Sequence, residues 1–311
     1  MVTMKAVRIH EYGDVDVLRY EAAPRPEPAA DEVLIKVHAT SVNPVDWKIR
    51  KGWLKDFIPH RLPLILGWDV AGVVEQTGSQ VSDFQVGDAV YARPDLTRDG
   101  AYADYIVVRA AEVAHKPATV DFEHAAAIPL AGITAWEAVL ATGGLTSGQR
   151  VLIHAAAGGV GSLAVQLAKI QGAYVIGTAS ADNQAFLQEL GTDECIDYRS
   201  TRFDEVVKDV DLVFDTLGGE VQARSWQVLK KGGLLVSIVE PPAESEAQRW
   251  GVRCAFVFIQ PNAGYLTEIA RLIDTGKLKP IVGQVLPLSR VQEAHQLSER
   301  GHVHGKLVLT P

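Results

Sequence analysis

The chain has 311 residues, of which 47% are apolar and 22% charged, values typical of a globular enzyme with about two domains. Its net charge of -8 argues against nucleic-acid binding and leaves no basic stripe for a membrane surface. The two cysteines, Cys195 and Cys254, form no CxxC pair, which excludes a disulfide framework and a cysteine-rich zinc lobe. Because the sequence shows neither a signal-peptide core nor a long apolar run free of Pro and Glu, we expect a cytoplasmic protein without a membrane span.

Short apolar strands separated by turn residues fill the N-terminal part of the chain. The segments KAVRIHEYG, EVLIKVHATSVN, VAGVVEQTG and FQVGDAVYA have this pattern, and Gly- and Pro-containing stretches such as APRPEPAAD lie between them. The pattern predicts a β-rich, barrel-like region.

From Phe122 onward, helical and strand-like segments alternate, which is typical of a parallel sheet with helices on both faces. We predict a long loop over residues 240–250. The change in pattern predicts an α/β fold with two domains, one formed by residues 1–122 and 276–311 and the other by residues 123–275. The predicted helices are 131–142, 162–171, 183–190 and 223–229, and the predicted strands are 151–154, 174–178, 194–198, 212–215 and 233–239.

The stretch VLIHAAAGGVGSLAVQLAK resembles the dinucleotide fingerprint G-x-G-x-x-G between a strand and a helix. Its three positions fall on Ala156, Gly158 and Gly161, and Gly159 and Val160 lie between the last two. The second glycine lets the backbone approach a pyrophosphate, and a helix that starts near Gly159 directs its N–H groups at the phosphates. A glycine-rich packing turn without a ligand is the alternative.

The end of the second strand of this region bears on coenzyme choice. NAD enzymes place an Asp or Glu there for the ribose 2′-hydroxyl. Here Thr178 and Ser180 occupy the tip, and Ser180, Tyr198 and Arg199 can interact with a 2′-phosphate. Asp182 lies close by and would repel a phosphate. We therefore favour NADP(H) as the cofactor, with NAD as the alternative.

Several motifs in order resemble the medium-chain dehydrogenase/reductase superfamily: LILGWDVAGVVEQTG, FQVGDAVYA, AAAIPLAGITAWEAV, the glycine-rich stretch and the terminal GKLVL. Zinc alcohol dehydrogenases of this superfamily carry a His-Glu pair where this chain has Trp68 and Asp69, and a catalytic cysteine where SVNPVDWKIRKG has none. The chain therefore resembles the zinc-independent quinone oxidoreductase branch. That resemblance implies a GroES-like β-barrel plus a Rossmann sheet, and hydride transfer from NADPH to quinones or α,β-unsaturated carbonyls.

The resemblance also implies roles for individual residues. Asn43 matches a position near the nicotinamide and the substrate, and Lys48 replaces a tyrosine that faces the cofactor in several of these enzymes. A surface lysine is the alternative for Lys48. Trp47 and Trp53 either wall the pocket or belong to the core or a lid, and Asp46 is better explained as a helix-cap group. Further cofactor contacts implied by the resemblance are Thr134, Leu217, Gly218, Val239, Phe256, Val257, Phe258 and Lys306.

Other functions and assemblies stay open at this point. A non-catalytic NADPH-binding sensor or crystallin-like protein would share the same motifs. A metal-dependent alcohol dehydrogenase would use Asp69 with a histidine such as His60, whereas the pair His302 and His304 is better explained as a surface loop. The apolar strand 253–260 is predicted to lie at a sheet edge, where it would pair two copies into a homodimer.

Overall fold

The computed structural model of the chain describes residues 2–301 and 303–311. The strands, numbered along the chain, are β1 (Thr3–Ile9), β2 (Arg19–Pro24), β3 (Glu32–Val42), β4 (Leu64–Ile65), β5 (Val70–Thr77), β6 (Ala89–Ala92), β7 (Tyr105–Arg109), β8 (Val113–His115), β9 (Arg150–Ile153), β10 (Tyr174–Ala179), β11 (Glu194–Asp197), β12 (Val210–Asp215), β13 (Leu229–Ser237), β14 (Arg253–Phe256), β15 (Val282–Pro287) and β16 (Lys306–Thr310). The α-helices are α1 (Pro44–Arg50), α2 (Phe122–Ala126), α3 (Pro129–Trp136), α4 (Gly159–Ile170), α5 (Gln184–Glu189), α6 (Phe203–Val206), α7 (Gly219–Ser225), α8 (Glu244–Trp250), α9 (Ala263–Asp274) and α10 (Val291–Arg300).

The chain divides into two compact units. The barrel unit comprises Met1–Leu130, Gln260–Gly276 and Pro280–Pro311, and the sheet unit comprises Ala131–Ile259 and Lys277–Lys279. These bounds place residues 123–130 and 260–275 with the barrel, whereas the sequence assigned them to the second domain. Hydrogen bonds hold α9 in the barrel unit, since the Tyr91 hydroxyl donates to Leu266 O at 2.5 Å.

The barrel unit is organised around the long strand β3. It pairs antiparallel with β5, β7 and β16, and β15 extends this sheet by pairing parallel to β16. Residues 33, 35 and 37 of β3 contribute to one apolar cluster with Val70, Val90 and Val108. The N-terminal segments with the alternating apolar pattern therefore form the strands of the predicted β-rich region. Helix α1 begins directly after β3.

The sheet unit contains six parallel strands in the order β11-β10-β9-β12-β13-β14. In chain order this is 3-2-1-4-5-6, the order of a Rossmann sheet. The predicted doubly wound parallel sheet is confirmed. Because all six strands run the same way, their carboxyl ends lie at one edge, and the turn after β9 lies where the strand order reverses.

Three local predictions were wrong. Residues 240–250 are not one long loop, because α8 covers Glu244–Trp250 with good helix formers and ends at Gly251, whose φ is 66°. The helix predicted at 223–229 begins earlier, at Gly219, and β13 has already started at Leu229. The strand predicted over 253–260 is regular only to Phe256.

Candidate active site

The turn between β9 and α4 has the geometry that the fingerprint requires. A Cβ on Gly161 would lie 2.3 Å from Ala155 O and 2.8 Å from Ala156 Cα, so only glycine allows this contact between helix and turn. A Cβ on Gly158 would meet a single atom, Ala155 O at 3.3 Å. Space therefore remains beside Gly158, the residue that precedes the first turn of α4.

The start of α4 is suited to an anion. The first N–H groups of a helix have no partner within the helix, and the helix dipole adds positive potential there. Gly159 and Val160 are partly exposed, so their N–H groups are accessible to a ligand, whereas the Gly158 N–H donates to Ala155 O at 3.0 Å. Ala156, where the fingerprint usually has glycine, is fully buried, and the methyl group faces Gly177, whose own Cβ would lie 2.9 Å from Ala156 Cβ.

The residues proposed to select the coenzyme lie at the carboxyl ends of β10 and β11. Ser180 is buried and accepts a hydrogen bond from Asn183 Nδ2 at 3.0 Å. Tyr198 is half exposed, and Asp182 lies on the surface with its carboxylate 4.0 Å from the guanidinium of Arg199. Arg199 thus partly offsets the charge of Asp182 that the sequence raised as an objection to a 2′-phosphate.

Thr178, in contrast, supports the turn with its side chain. The hydroxyl oxygen accepts the Ala155 N–H at 3.2 Å, and the Thr178 carbonyl accepts the Ala156 N–H at 2.9 Å. Since Thr178 is buried, its hydroxyl interacts with the turn and not with solvent.

The remaining predicted contacts of the sheet unit follow β12, β13 and β14, with one exception on α3. Buried Asp215 accepts the backbone N–H groups of Leu217 and Gly218 at 3.0 and 2.9 Å, which fixes the segment after β12. Sequence reasoning missed Asp215, whose position at the last residue of a buried strand was the available signal. At the same edge, Val239 follows β13, Phe256 ends β14, and Val257 and Phe258 come directly after it. Thr134 is buried on α3.

A buried polar cluster in the barrel unit joins two residues that the sequence had proposed separately. Lys306 donates to Val42 O at 2.8 Å and also to the Asn43 side-chain carbonyl. The Asn43 amide nitrogen in turn donates to Asp69 Oδ2 at 2.7 Å. Both ends of the Asn43 amide are therefore engaged within the protein.

Asp69 is the centre of this cluster. Its carboxylate accepts the Ser41 hydroxyl at 2.5 Å and the Leu130 backbone N–H at 2.6 Å, and it lies 3.5 Å from the Lys306 ammonium. Asp69 is completely buried and Lys306 is 5% exposed. Burial lowers the pKa of Lys306, while the neighbouring Asp69 opposes that shift.

A second buried chain of hydrogen bonds anchors α1. Asp46 accepts the Asn43 backbone N–H at 2.7 Å, as the capping group the sequence suggested, and the Tyr102 hydroxyl at 2.9 Å. Tyr102 continues to His295 Nε2 at 3.2 Å, and Arg50 donates to His295 Nδ1 at 3.0 Å. Burial raises the pKa of Asp46 to about 7 and lowers that of His295 to about 3, so His295 is neutral at pH 7.

Lys48 lies on α1 with a partly buried side chain. Its ammonium is 5.8 Å from the Trp47 ring, and burial lowers its pKa. Trp47 and Trp53 meet edge to face at 5.7 Å, and Trp53 is 64% exposed, so Trp53 is not a core residue.

The histidines proposed as metal ligands lie in other surroundings. His60 Nε2 hydrogen-bonds to Leu96 O at 2.6 Å. Within residues 2–301 and 303–311, no group of three His, Cys, Asp or Glu side chains is placed to hold a metal ion. Of the pair His302 and His304, His302 lies outside the described residues.

Comparison with known proteins gives the class. Residues 29–118 match the alcohol dehydrogenase GroES-like domain, and residues 190–309 match the zinc-binding dehydrogenase family. A GroES-like barrel together with a Rossmann sheet and its glycine-rich turn defines a medium-chain dehydrogenase/reductase.

Individual relatives narrow this class. The mitochondrial NAD(P)H oxidoreductase RTN4IP1 of Mus musculus is 35% identical over 98% of this chain and 89% of its own. The chloroplastic NADPH-dependent alkenal/one oxidoreductase of Arabidopsis thaliana is 38% identical over 99% of this chain and 80% of its own. The solved structure of the quinone oxidoreductase from Coxiella burnetii superposes with a TM-score of 0.93 at 36% identity over 100% of both chains. The chain belongs to the quinone oxidoreductase branch of this superfamily of oxidoreductases.

Among the described residues, no helix is both long enough and apolar enough to cross a membrane. Because the Mus musculus relative is mitochondrial and the Arabidopsis thaliana relative chloroplastic, the cytoplasmic location stays a prediction.

Proposed function

We propose that the chain is an NADPH-dependent reductase of quinones or α,β-unsaturated carbonyls that works without zinc. The observation that carries this proposal is the turn after β9, where the space beside Gly158 lies next to the N–H groups that begin α4. The names of the relatives supply the substrate class, alkenals and enones for the Arabidopsis protein and quinones for the Coxiella protein.

In this proposal the carboxyl edge of the sheet unit holds the dinucleotide. The turn from Ala156 to Gly161 binds the pyrophosphate through backbone N–H groups, and Ser180 and Tyr198 bind the 2′-phosphate. Reduced nicotinamide, when bound, supplies a hydride, and one proton completes the two-electron reduction of a quinone or an enone. Contacts to the rest of the cofactor come from Thr134, Leu217, Gly218, Val239, Phe256, Val257 and Phe258, whereas the buried Lys306 ammonium is already bonded to Val42 O and Asn43 in the barrel unit.

The proposal also gives roles to two polar residues of the barrel unit, Lys48 and Asn43. Lys48 stabilises the negative charge that develops on the substrate oxygen, and its lowered pKa favours transfer of a proton to that oxygen. Asn43 acts through position, because its amide is bonded to Asp69 and Lys306 and ties the start of α1 to them. This role differs from the direct catalytic role that the sequence suggested for Asn43.

Independence from zinc is supported by the donors around Asp69. Its carboxylate already accepts hydrogen bonds from Ser41, Asn43 and the Leu130 backbone, and a lysine ammonium lies beside it. Electrostatic repulsion from Lys306 disfavours a second cation at this carboxylate. Electron-poor quinones and enones accept hydride without a Lewis acid, so the proposed chemistry does not need one.

The test is a panel of quinones, 2-alkenals and enones with NADPH and with NADH, followed by cofactor absorbance. We expect turnover with NADPH that exceeds turnover with NADH and that persists after treatment with a chelator. Tight NADPH binding without turnover of any acceptor would contradict the proposal and favour a sensor. Loss of activity on chelation, restored by zinc, would refute the metal-independent mechanism.

We also propose that the protein is a homodimer paired through β14. This strand ends the order of the six-stranded sheet, and Phe256 at its end is 40% exposed. Such an edge can pair with a second copy across a two-fold axis. Light scattering should give twice the chain mass of 33.7 kDa, and a Phe256→Asp variant, which places a charge at the exposed end of β14, should shift the mass toward 33.7 kDa. A monomeric wild type would refute the proposal.

A further inference from the structure

His154 is a buried histidine that the sequence analysis did not single out. It directly follows β9 and is 1% exposed. Its ring packs edge to face on Phe203, and its two nitrogens reach two other elements of the sheet unit: Nε2 is 3.0 Å from Ser225 Oγ on α7, and Nδ1 is 3.3 Å from Thr178 Oγ1 on β10.

The hydrogen bonds around His154 have a defined direction. Thr178 Oγ1 accepts the Ala155 N–H at 3.2 Å, so its own hydrogen is available for His154 Nδ1. Ser225 Oγ donates to Val221 O at 2.7 Å, so it accepts from His154 Nε2. One neutral tautomer of His154, with the proton on Nε2, is compatible with both of these hydrogen bonds. Burial lowers the pKa of His154 to about 4, which keeps the ring neutral at pH 7.

This series of hydrogen bonds ends at Ala155, the most constrained residue of the glycine-rich turn. Ala155 has a φ of 47°, a conformation that is costly for a residue with a Cβ and persists only when its surroundings hold it. The carbonyl of His154 also accepts the Thr216 hydroxyl at 2.8 Å, and Thr216 directly precedes Leu217 and Gly218. His154 therefore connects the turn after β9 with the segment after β12.

We propose that His154 is a positioning residue for the pyrophosphate of a bound dinucleotide. Through Thr178 it holds Ala155 in its left-handed conformation, and that conformation sets the direction of the N–H groups at Gly159 and Val160, because Ala155 O accepts the Gly158 N–H that precedes them. Through Thr216 it fixes the neighbouring segment at the same sheet edge. The inference rests on the proposed dinucleotide function and adds a residue that does not touch the ligand.

The test compares binding of NADPH with binding of adenosine 2′-monophosphate, which has the 2′-phosphate but no pyrophosphate. In calorimetric titrations, His154→Phe should weaken NADPH binding about 10-fold, the scale of one lost hydrogen bond, and leave the affinity for adenosine 2′-monophosphate unchanged. His154→Asn, which keeps an acceptor near the Nδ1 position, should lose less affinity than His154→Gln, which keeps only a donor near the Nε2 position.

A matched control separates positioning from general destabilisation. Gln166 is also buried in the sheet unit and bonds through its side chain to Lys279 at 3.0 and 2.8 Å. Gln166→Leu should lower the melting temperature while leaving both affinities unchanged. If His154→Phe is poorly folded, the Asn and Gln variants carry the same comparison.

The outcomes separate the two proposals. Wild-type protein that fails to bind NADPH would overturn the proposed function, and this inference with it. Wild-type binding that is matched by all three His154 variants would overturn this inference alone. An equal loss for NADPH and adenosine 2′-monophosphate would also overturn it, because general destabilisation would explain such a loss.

Discussion

The barrel unit and the sheet unit each contain a candidate site, and they differ in what they bury. Around Asp69 the barrel unit buries opposite charges, and the carboxylate, the Asn43 amide and the Lys306 ammonium satisfy one another. Around Gly158 the sheet unit buries almost no charge and offers backbone N–H groups beside small residues. One site depends on electrostatic balance, the other on the absence of side-chain atoms.

This difference determines how each site fails. A buried ion pair that loses one partner leaves the other charge without solvent or counterion, which is strongly destabilising. A glycine turn that gains one methyl group must move its backbone, and the change is local. We therefore expect charge substitutions to act mainly on stability in the barrel unit, and volume substitutions to act mainly on ligand binding in the sheet unit.

The largest effect is expected for Asp69→Asn. Removing the carboxylate leaves the Lys306 ammonium buried without its counterion, and we expect a loss of about 3–5 kcal/mol in the free energy of unfolding. Urea denaturation followed by tryptophan fluorescence measures it. The double variant Asp69→Asn with Lys306→Met should recover much of the loss, because no uncompensated charge remains.

A surface pair supplies the control for this prediction. Arg290 and Glu293 are three residues apart, with side chains 54% and 40% exposed, and Glu293→Gln should change stability by less than about 1 kcal/mol. If Asp69→Asn costs no more than Glu293→Gln, the cluster is not held by charge, and the contrast between the two units is wrong.

The next effect is expected in the turn. Gly161→Ala places a methyl group 2.3 Å from Ala155 O, and overpacking of this kind costs about 1–3 kcal/mol. We expect a lower melting temperature together with loss of measurable NADPH binding. Gly158→Ala, whose methyl group meets only one atom at 3.3 Å, should fold almost normally and lose mainly NADPH affinity. Equal melting temperatures for wild type and Gly161→Ala would show that the turn tolerates the volume.

The same contrast explains what the sequence could predict. The turn is local, because a strand, five small residues and a helix lie in one stretch. Its glycine positions and the parallel sheet could therefore be predicted from the pattern, whereas the order of the strands was not predicted. The helix at 244–250 was missed, since the prolines at 241 and 242 favoured a loop over the helix formers that follow.

The cluster around Asp69 depends on tertiary contacts that no local pattern reveals. Asn43 lies 26 residues from Asp69 in the chain, and Lys306 lies 263 residues from Asn43. The resemblance to the family pointed to Asn43 and Lys306 one at a time, but not to the bond between them. His154 was missed for a similar reason, because its partners Thr178 and Ser225 follow it by 24 and 71 residues.

A smaller effect is expected for Lys48→Met. If the ammonium stabilises the developing oxyanion, kcat should fall about 10-fold, equivalent to about 1.4 kcal/mol, while the affinity for NADPH changes little. Steady-state and binding measurements give the two quantities separately. Lys55→Met, an exposed lysine in the neighbouring turn, should keep the wild-type kcat. Full activity of Lys48→Met would remove Lys48 from the mechanism and leave proton supply to water.

The smallest effect is expected for coenzyme choice at Asp182. This carboxylate is 89% exposed and lies 4.0 Å from the Arg199 guanidinium, so it competes with a 2′-phosphate for the same cation. Asp182→Arg removes the competitor and adds a second cation, and we expect NADPH to bind about threefold tighter, a modest gain because exposed charges are screened by water and salt. NADH lacks the 2′-phosphate and should bind as it does to wild type, which makes it the internal control. The gain should also shrink as salt concentration rises. If Asp182→Arg binds NADPH no more tightly than wild type, or if the wild type prefers NADH, then Ser180 and Tyr198 do not bind the 2′-phosphate of NADPH.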